Sequence, residues 1–588
     1  MTPHSARRIA GGPAPGHPVL SIEGLNVCTA GGRNAATVLN DVSFTIDPGE
    51  TVCVVGESGS GKSVSSLAVM GLLPPGELRV ESGRILVNGV DMLTIGPAAL
   101  RALRATEMAI VFQEPMTALN PVETVGFQIE EVLRLHTRLS RKARRERVLQ
   151  MLESVHLPQP ERVYRAYPHQ LSGGQRQRIV IAMALILGPR LLIADEPTTA
   201  LDVTTQKQIL TLIRELQERH NTAVLFITHD FGVVSEIADR IVVMHHGRVV
   251  ETGSRTDILS NPRQVYTRSL VTSVPSLVPA APNPIQPDCI LDVRKLGKIY
   301  AGRGVLKRVK ALPAATDISF SLHRSEIAGI VGESGSGKST VARCIAHLMP
   351  ASEGAIVLDG TDIARKPVGT LGTARRHIQV VFQDPYRSLN PRMRIGESLI
   401  EGLTNFGETR QAALQKAGAL LEVVGLAPEA LQRYPHQFSG GQRQRICIAR
   451  ALALEPQVLI ADEAVSALDV SVQAQVLRLL REIRERTGIA VLFITHDLRV
   501  AAQICDSIIV MHQGRIVESG STRAVLTQPQ APYTQSLIAA APGKHWDFQN
   551  LCPLPTAEPD YPHPIRSGLS TPDIPGVSHA QPITRRQP

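Results

Sequence analysis

Gly56-Glu57-Ser58-Gly59-Ser60-Gly61-Lys62-Ser63 returns unchanged as Gly332-Glu333-Ser334-Gly335-Ser336-Gly337-Lys338-Ser339. Each octet follows an apolar, strand-like run, Thr51 to Val55 and Ile327 to Val331, and opens a helix-like run. That context separates a phosphate-binding loop from a chance glycine turn. Glycines let successive backbone N–H groups curl round an anion without a Cβ in the way. The helix N-terminus behind them adds about half a positive charge. Lys62 and Lys338 are placed to reach the β- and γ-phosphates of a nucleotide, and the hydroxyls of Ser63 and Ser339 to ligate Mg²⁺.

Working outward, every recognisable string occurs twice, about 270 residues apart. Val111-Phe-Gln113-Glu-Pro115 matches Val381-Phe-Gln383-Asp-Pro385. His169-Gln-Leu-Ser172-Gly-Gly174-Gln-Arg-Gln-Arg178 matches His436-Gln-Phe-Ser439-Gly-Gly441-Gln-Arg-Gln-Arg445. Two apolar strands also end alike, in Asp195-Glu196 and Asp462-Glu463, and two more in Thr-His229-Asp230 and Thr-His496-Asp497. So long a period means two whole domains rather than a solenoid. Strands alternating with helices predict α/β domains, each with a mainly parallel sheet covered on both faces.

The divisions follow composition: a Pro/Gly-rich tail over 1–18, a first domain over 19–270, a Pro-rich spacer over 271–288, a second domain over 289–542 and a Pro-rich tail over 543–588. Both tails are expected to be disordered and the spacer semi-extended. The 588 residues are ample for two cores. The net charge of +9 suits scattered surface cations, or attraction to nucleotide and an anionic membrane face. Arg141 to Arg147 reads as the solvated face of a helix. Aromatics are only 3%, against an aromatic-lined nucleic-acid surface. Seven cysteines stand singly, which suits a reducing compartment and argues against a zinc or iron–sulfur site. The N-terminus has no apolar core for a signal peptide. The longest apolar run, Ile179 to Leu187, is too short to span a bilayer.

Buried strands ending in Asp-Glu suit nucleotide hydrolysis. Asp195 and Asp462 can hold Mg²⁺ or its waters. Glu196 and Glu463 can polarise the attacking water as general bases. His229 and His496 can contact the γ-phosphate and orient that water. Gln113 and Gln383 are placed to sense the metal or the water. Ser172 and Gly174, like Ser439 and Gly441, combine a hydroxyl, a pliable backbone and a helix N-terminus, which makes a second anion site; the plain alternative is a helix cap.

With these strings assembled, the chain resembles an ATP-binding cassette (ABC) ATPase with two nucleotide-binding domains fused in one polypeptide. The octets resemble its Walker A, Leu171–Gln175 and Phe438–Gln442 its signature, the Asp-Glu strands its Walker B, and Ala200-Leu-Asp202 and Ala467-Leu-Asp469 its D-loop. More narrowly it is similar to the peptide/nickel importer subfamily, through Phe382 to Pro391, Tyr434-Pro-His-Gln-Phe438, Tyr266-Thr-Arg-Ser-Leu270 and Tyr533-Thr-Gln-Ser-Leu537. The resemblance implies P-loop NTPase cores, each with an antiparallel β subdomain and a helical subdomain. It also implies ATP and Mg²⁺ as cofactors, two permease subunits and an extracytoplasmic solute-binding protein as partners, and a peripheral seat on the cytoplasmic face of the inner membrane. ATP on one domain's loop, with Thr340 beside the second octet, would be capped by the other domain's Ser439 and Gly441 or Ser172 and Gly174. An aromatic upstream of Walker A stacks on adenine in this family; Tyr300 can serve in the second domain, while the first has Thr29. A tandem ATPase acting on ribosomes or nucleic acid is the alternative from another class; its usual long charged linker is missing here. An exporter, or a pair with one idle site, completes the set.

Overall fold

The computed structural model describes residues 17–31, 35–112, 118–199, 201–281, 283–300, 312–364, 372–466 and 468–554. Among the described residues the first domain contains ten strands: β1 Leu20–Thr29, β2 Thr37–Ile46, β3 Thr51–Val55, β4 Leu78–Val87, β5 Val90–Asp91, β6 Met108–Val111, β7 Leu191–Asp195, β8 Ala223–Ile227, β9 Arg240–His245 and β10 Arg248–Ser254. They form an antiparallel sheet in the order β2-β1-β4-β5 and a six-stranded sheet in the order β10-β9-β3-β8-β7-β6. In the larger sheet β6, β7, β8, β3 and β9 run parallel, and β10 closes the edge antiparallel.

The strands β3, β7 and β8 are buried at every residue, as expected for a sheet covered on both faces. Alternation still sorts the two layers. Val52 and Val54 join Leu20, Ile22 and Ile85 under the antiparallel sheet. Cys53 and Val55 face the other way, into a layer with Ile129, Ile179 and Ile209 from the helices. Between β6 and β7 lies the helical subdomain, Val125–His136, Arg141–Ser154, Pro160–Arg165 and Gly173–Leu185. Its charged helix turns Val148, Met151 and Leu152 inward and keeps Arg145 on the surface, paired with Glu161 at 2.7 Å.

The second domain repeats the plan with β11 Cys289–Tyr300, β12 Leu312–His323, β13 Ile327–Val331, β14 Glu353–Leu358, β15 Thr361–Asp362, β16 Ile378–Val381, β17 Val458–Asp462, β18 Ala490–Thr495, β19 Ser507–His512 and β20 Arg515–Ser521. Its sheets run β12-β11-β14-β15 and β16-β17-β18-β13-β19-β20, the same order as in the first domain. In both domains the phosphate loop, the Asp-Glu pair and the Thr-His-Asp string leave the carboxyl ends of adjacent parallel strands. Ligands of open α/β sheets bind at such ends.

The spacer does not hang free of the two domains. Val271 and Val274 are buried in the first core, Leu277 packs against the second, and Ala280 N–H donates to Ala502 O at 2.9 Å. Asn283 Nδ2 donates to Asp506 Oδ1 at 3.0 Å. One expectation needs correction: the C-terminal segment is not structureless from Gly543. Strands β21 Trp546–Asp547 and β22 Cys552–Pro553 pair antiparallel, and Phe548 is fully buried among Phe231, Ile237 and Leu259 of the first domain. One aromatic ring outweighs the polar composition around it, because burying a Phe contributes about 1.5–3 kcal/mol. The remaining tail residues, 1–16 and 555–588, lie outside the described residues.

Phe548→Ala is therefore expected to destabilise the first domain, at the far end of the sequence, by about 3–5 kcal/mol. Thermal unfolding checks this: the transition of the first domain should move down, and movement of the second domain's transition alone would contradict it. Among the described residues no helix is long and apolar enough to cross a membrane.

Candidate active sites

The phosphate loop has its shape because glycine alone tolerates it. Gly56 has φ 154°, and a Cβ there would lie 2.2 Å from Met244 O. Gly61, with φ 98°, precedes the helix Lys62–Val69. The second loop repeats this with Gly332 at φ 151° and 2.2 Å from Met511 O, and Gly337 at φ 102°. Lys62 Nζ donates to Gly56 O at 2.8 Å and Glu57 O at 2.9 Å, so the lysine is folded back over its own loop. Lys338 does the same to Gly332 O at 2.7 Å and Glu333 O at 2.8 Å.

Next to each lysine stand the strand-end carboxylates. Ser63 Oγ donates to Asp195 Oδ1 at 3.2 Å, and Ser339 Oγ to Asp462 Oδ1 at 3.0 Å. Burial pushes both aspartates above the usual carboxylate range, against the pull of these hydroxyls. Glu196 and Glu463 follow in left-handed backbone, φ 48° and 49°. That conformation is uncommon away from glycine, and here it keeps pairing with the neighbouring strand: Glu196 N–H donates to Ile227 O at 2.9 Å, Glu463 N–H to Ile494 O at 3.0 Å.

His229 Nδ1 lies 2.9 Å from Glu196 Oε1, and His496 Nδ1 3.5 Å from Glu463 Oε1. Burial works against charge on both partners of each pair, but their mutual attraction wins. It holds the glutamates below and the histidines above their ordinary values. Thr199 Oγ1 donates to Glu196 Oε2 at 2.9 Å. In the second domain Gln383 Nε2 donates to Glu463 Oε2 at 2.8 Å. Gln383 thus meets the glutamate, where the sequence had set it near metal or water. Gln113 lies outside the described residues.

Ser172 and Ser439 cap their own helices, each accepting the N–H three residues on at 3.3 Å. Gly174 and Gly441 are required by packing: a Cβ would come within 2.4 Å of Thr205 Cγ2 and 2.2 Å of Val472 Cγ1. What reaches the first phosphate loop from the second domain is the D-loop. Asp469 Oδ1 accepts from Ser58 N–H at 3.1 Å, and Ser471 Oγ bonds the Glu57 carboxylate. The matching Asp202 instead caps its own helix, accepting from Thr205 N–H at 2.9 Å.

Sequence reasoning left Thr199, Asp469 and Ser471 out of the site. Asp469 carried a signal, since it stood in a recognised repeat string; the other two carried none. Tyr300 ends β11 with its ring 43% exposed. Thr29 ends β1, and its hydroxyl accepts from Ala36 N–H at 2.9 Å. Base–aromatic stacking contributes about 1–3 kcal/mol, so nucleotide binding is expected to be weaker at the first site. Titration of Lys338→Ala and Lys62→Ala variants, each keeping one loop intact, checks this; equal affinities would contradict it.

The ABC transporter family model matches residues 39–199 and again 315–466. The chain belongs to the ABC transporter ATP-binding family. It is an ATPase of that family, and its cofactor is the nucleotide. A second model, described as the C-terminal region of oligopeptide/dipeptide transporters, matches 250–303 and 517–565, each stretch beginning beyond an ABC match. The glutathione import ATP-binding protein GsiA of Escherichia coli (strain K12) is 45% identical, over 98% of this chain and 95% of that protein. GsiA of Salmonella choleraesuis (strain SC-B67) is also 45% identical, over 95% and 93%. A solved structure, the ATP-binding cassette MJ0796 bound to ADP and Pi, covers 40% of this chain and 98% of its own at 29% identity, with a TM-score of 0.37.

Proposed function

We propose that this ABC ATPase is the energy-coupling subunit of an importer for glutathione, di- and oligopeptides or a related solute such as nickel. The observation that carries this is the likeness to glutathione import proteins along both domains and the segments behind them. In this reading the chain sits on the cytoplasmic face of the inner membrane, against two permease subunits served by a solute-binding protein.

ATP lies on Lys62, Ser63 and the loop amides of the first domain, and on Lys338, Ser339 and their loop in the second. Ser63 with Asp195, and Ser339 with Asp462, present adjacent hard oxygen donors, the ligand type Mg²⁺ takes alongside water and phosphate oxygens. When bound, Mg²⁺ supplies charge neutralisation at the β- and γ-phosphates. Glu196 and Glu463, kept ionised by His229 and His496, accept a proton from the attacking water. The Asp469–Ser58 contact supports a head-to-tail sandwich in which nucleotide on one domain is sensed by the other; Ser439 and Gly441, or Ser172 and Gly174, would complete it. Occupancy of the γ-phosphate position then biases the two domains between arrangements, and the helices after Gln113 and Gln383 pass the change to the permeases.

The test is uptake of labelled glutathione, dipeptides and tripeptides by cells that carry no other importer for them. Uptake present with the native chain and lost with Lys62→Ala/Lys338→Ala is the expected result. Uptake unchanged by the double variant, with the protein expressed and folded, would remove these solutes.

A further inference from the structure

Each phosphate loop is touched by a tyrosine from beyond the stretch that the ABC transporter model matches. Tyr266 lies on the helix Val265–Thr272 and Tyr533 on Pro532–Ala540. Both helices fall within the stretches matched by the oligopeptide/dipeptide transporter C-terminal model, not within the ABC matches. Glu57 N–H donates to the Tyr266 hydroxyl at 3.3 Å, and Glu333 N–H to the Tyr533 hydroxyl at 3.2 Å. Each ring is held from behind by a histidine at the end of the neighbouring sheet strand. Tyr266 stacks on His245 with centroids 3.8 Å apart, and Tyr533 lies tilted against His512 at 4.0 Å. One contact of this kind would be unremarkable surface packing. The same contact, between matching residues, is made in both domains.

The amide that is held decides what the contact can do. Glu57 and Glu333 are the second residues of their octets, next to the glycines whose backbone admits no side chain. The lysine binds the carbonyls of the same two residues. The tyrosine therefore grips from the N–H side a peptide whose C=O side is gripped by Lys62 or Lys338. The peptide's orientation sets the direction of every later amide in the loop, and anion affinity depends on those amides converging.

We propose that Tyr266 and Tyr533 are positioning residues for ATP, each orienting the phosphate loop of its own domain from a helix near that domain's C-terminal end, beyond its ABC-matched stretch. The proposal rests on the ATPase reading and adds to it a role for a region with no catalytic motif. The probe is a fluorescent ATP analogue, titrated into the full-length chain. Tyr266→Phe removes one hydroxyl and keeps the ring on His245, so the fold is not at risk.

In a Lys338→Ala background, which leaves the first site alone, Tyr266→Phe should weaken analogue binding about three- to tenfold, the range for one ordinary hydrogen bond. In a Lys62→Ala background the same substitution should leave the Kd unchanged, and Tyr533→Phe should show the opposite pattern. An unchanged Kd at the tyrosine's own site overturns the proposal. So does an equal shift at both sites, which would mark a general loosening of the structure. If the unsubstituted chain bound no analogue at either loop, the ATPase reading itself would fall.

Discussion

Glu196→Gln and Glu463→Gln, introduced singly, are each expected to lower ATP turnover at the altered site by about 10²–10⁴-fold, the range for loss of a general acid–base group. The substitution is close to isosteric. An amide oxygen there can still accept from Thr199 or Gln383, which bond Glu196 and Glu463 at 2.9 and 2.8 Å. What disappears is the negative charge that takes up the proton and that the neighbouring histidine favours. Nucleotide binding should survive, because Lys62, Lys338 and the loop amides are unaltered. Steady-state hydrolysis with a parallel binding titration separates the two effects. A single variant that keeps full turnover would identify its site as idle, and the matching geometry of the two sites argues against that. Within the histidine–glutamate pair the sites differ: the distance is 2.9 Å in the first and 3.5 Å in the second.

The second large effect belongs to Arg499. Its side chain is 7% exposed and lies where the two domains meet. Nη1 and Nη2 donate to the two oxygens of Asp230 in the first domain, both at 2.9 Å, while Nε and Nη2 reach Asp497 of its own domain at 3.1 and 2.9 Å. Asp230 and Asp497 are the matching residues after His229 and His496, so one guanidinium serves both. Only one fits. The residue of the first domain that corresponds to Arg499 is Gly232, and a Cβ there would lie 1.9 Å from Arg499 Nη1.

Arg499→Ala would leave two partly buried carboxylates, 21% and 22% exposed, facing each other without a cation. Breaking a fully buried pair from one side costs about 3–5 kcal/mol, and the access of water to these carboxylates brings the loss below that range. Denaturant unfolding should show that loss as an earlier separation of the domains. Adding Asp230→Asn should recover part of it, since the second charge goes too and the amide oxygen can still accept from Gly232 N–H, now at 2.8 Å. No recovery would mean that the arginine acts through packing alone. Burial opposes ionisation of Asp230, yet Arg499 holds its carboxyl below the usual range. The pair's contribution is therefore complete at neutral pH and is lost as pH falls through that depressed value.

The duplicated cassette was legible because its signals are local. Gly56 and Gly61 are needed by backbone dihedrals within their own octet, and Asp195 and Glu196 end a strand whose apolar run is visible by eye. The same holds for His229. What was not legible depends on which surfaces meet. Phe548 and Trp546 stand in a polar, Pro-rich stretch, and nothing near them reveals that the first domain has room for a ring. Val274 and Leu277 are scattered among prolines in the same way. Ser172 and Ser439 show the limit from the other side: the strings favoured an anion site over a cap alone, and the cap bonds observed are compatible with both. Arg499 and Gly232 stand in matching strings, but the reason for their difference exists only when the strings face each other.

The burial of Phe548 also bears on how the molecule is made. Domains of a multidomain chain generally fold in order as the ribosome releases them. Here the N-terminal cassette is sealed by a ring, Phe548, that is synthesised after the whole C-terminal cassette. Its final packing waits until the C-terminal cassette has left the ribosome, so translation order and maturation order part company. A premature stop just before Phe548 would therefore spare the cassette just completed and leave the older one unfinished.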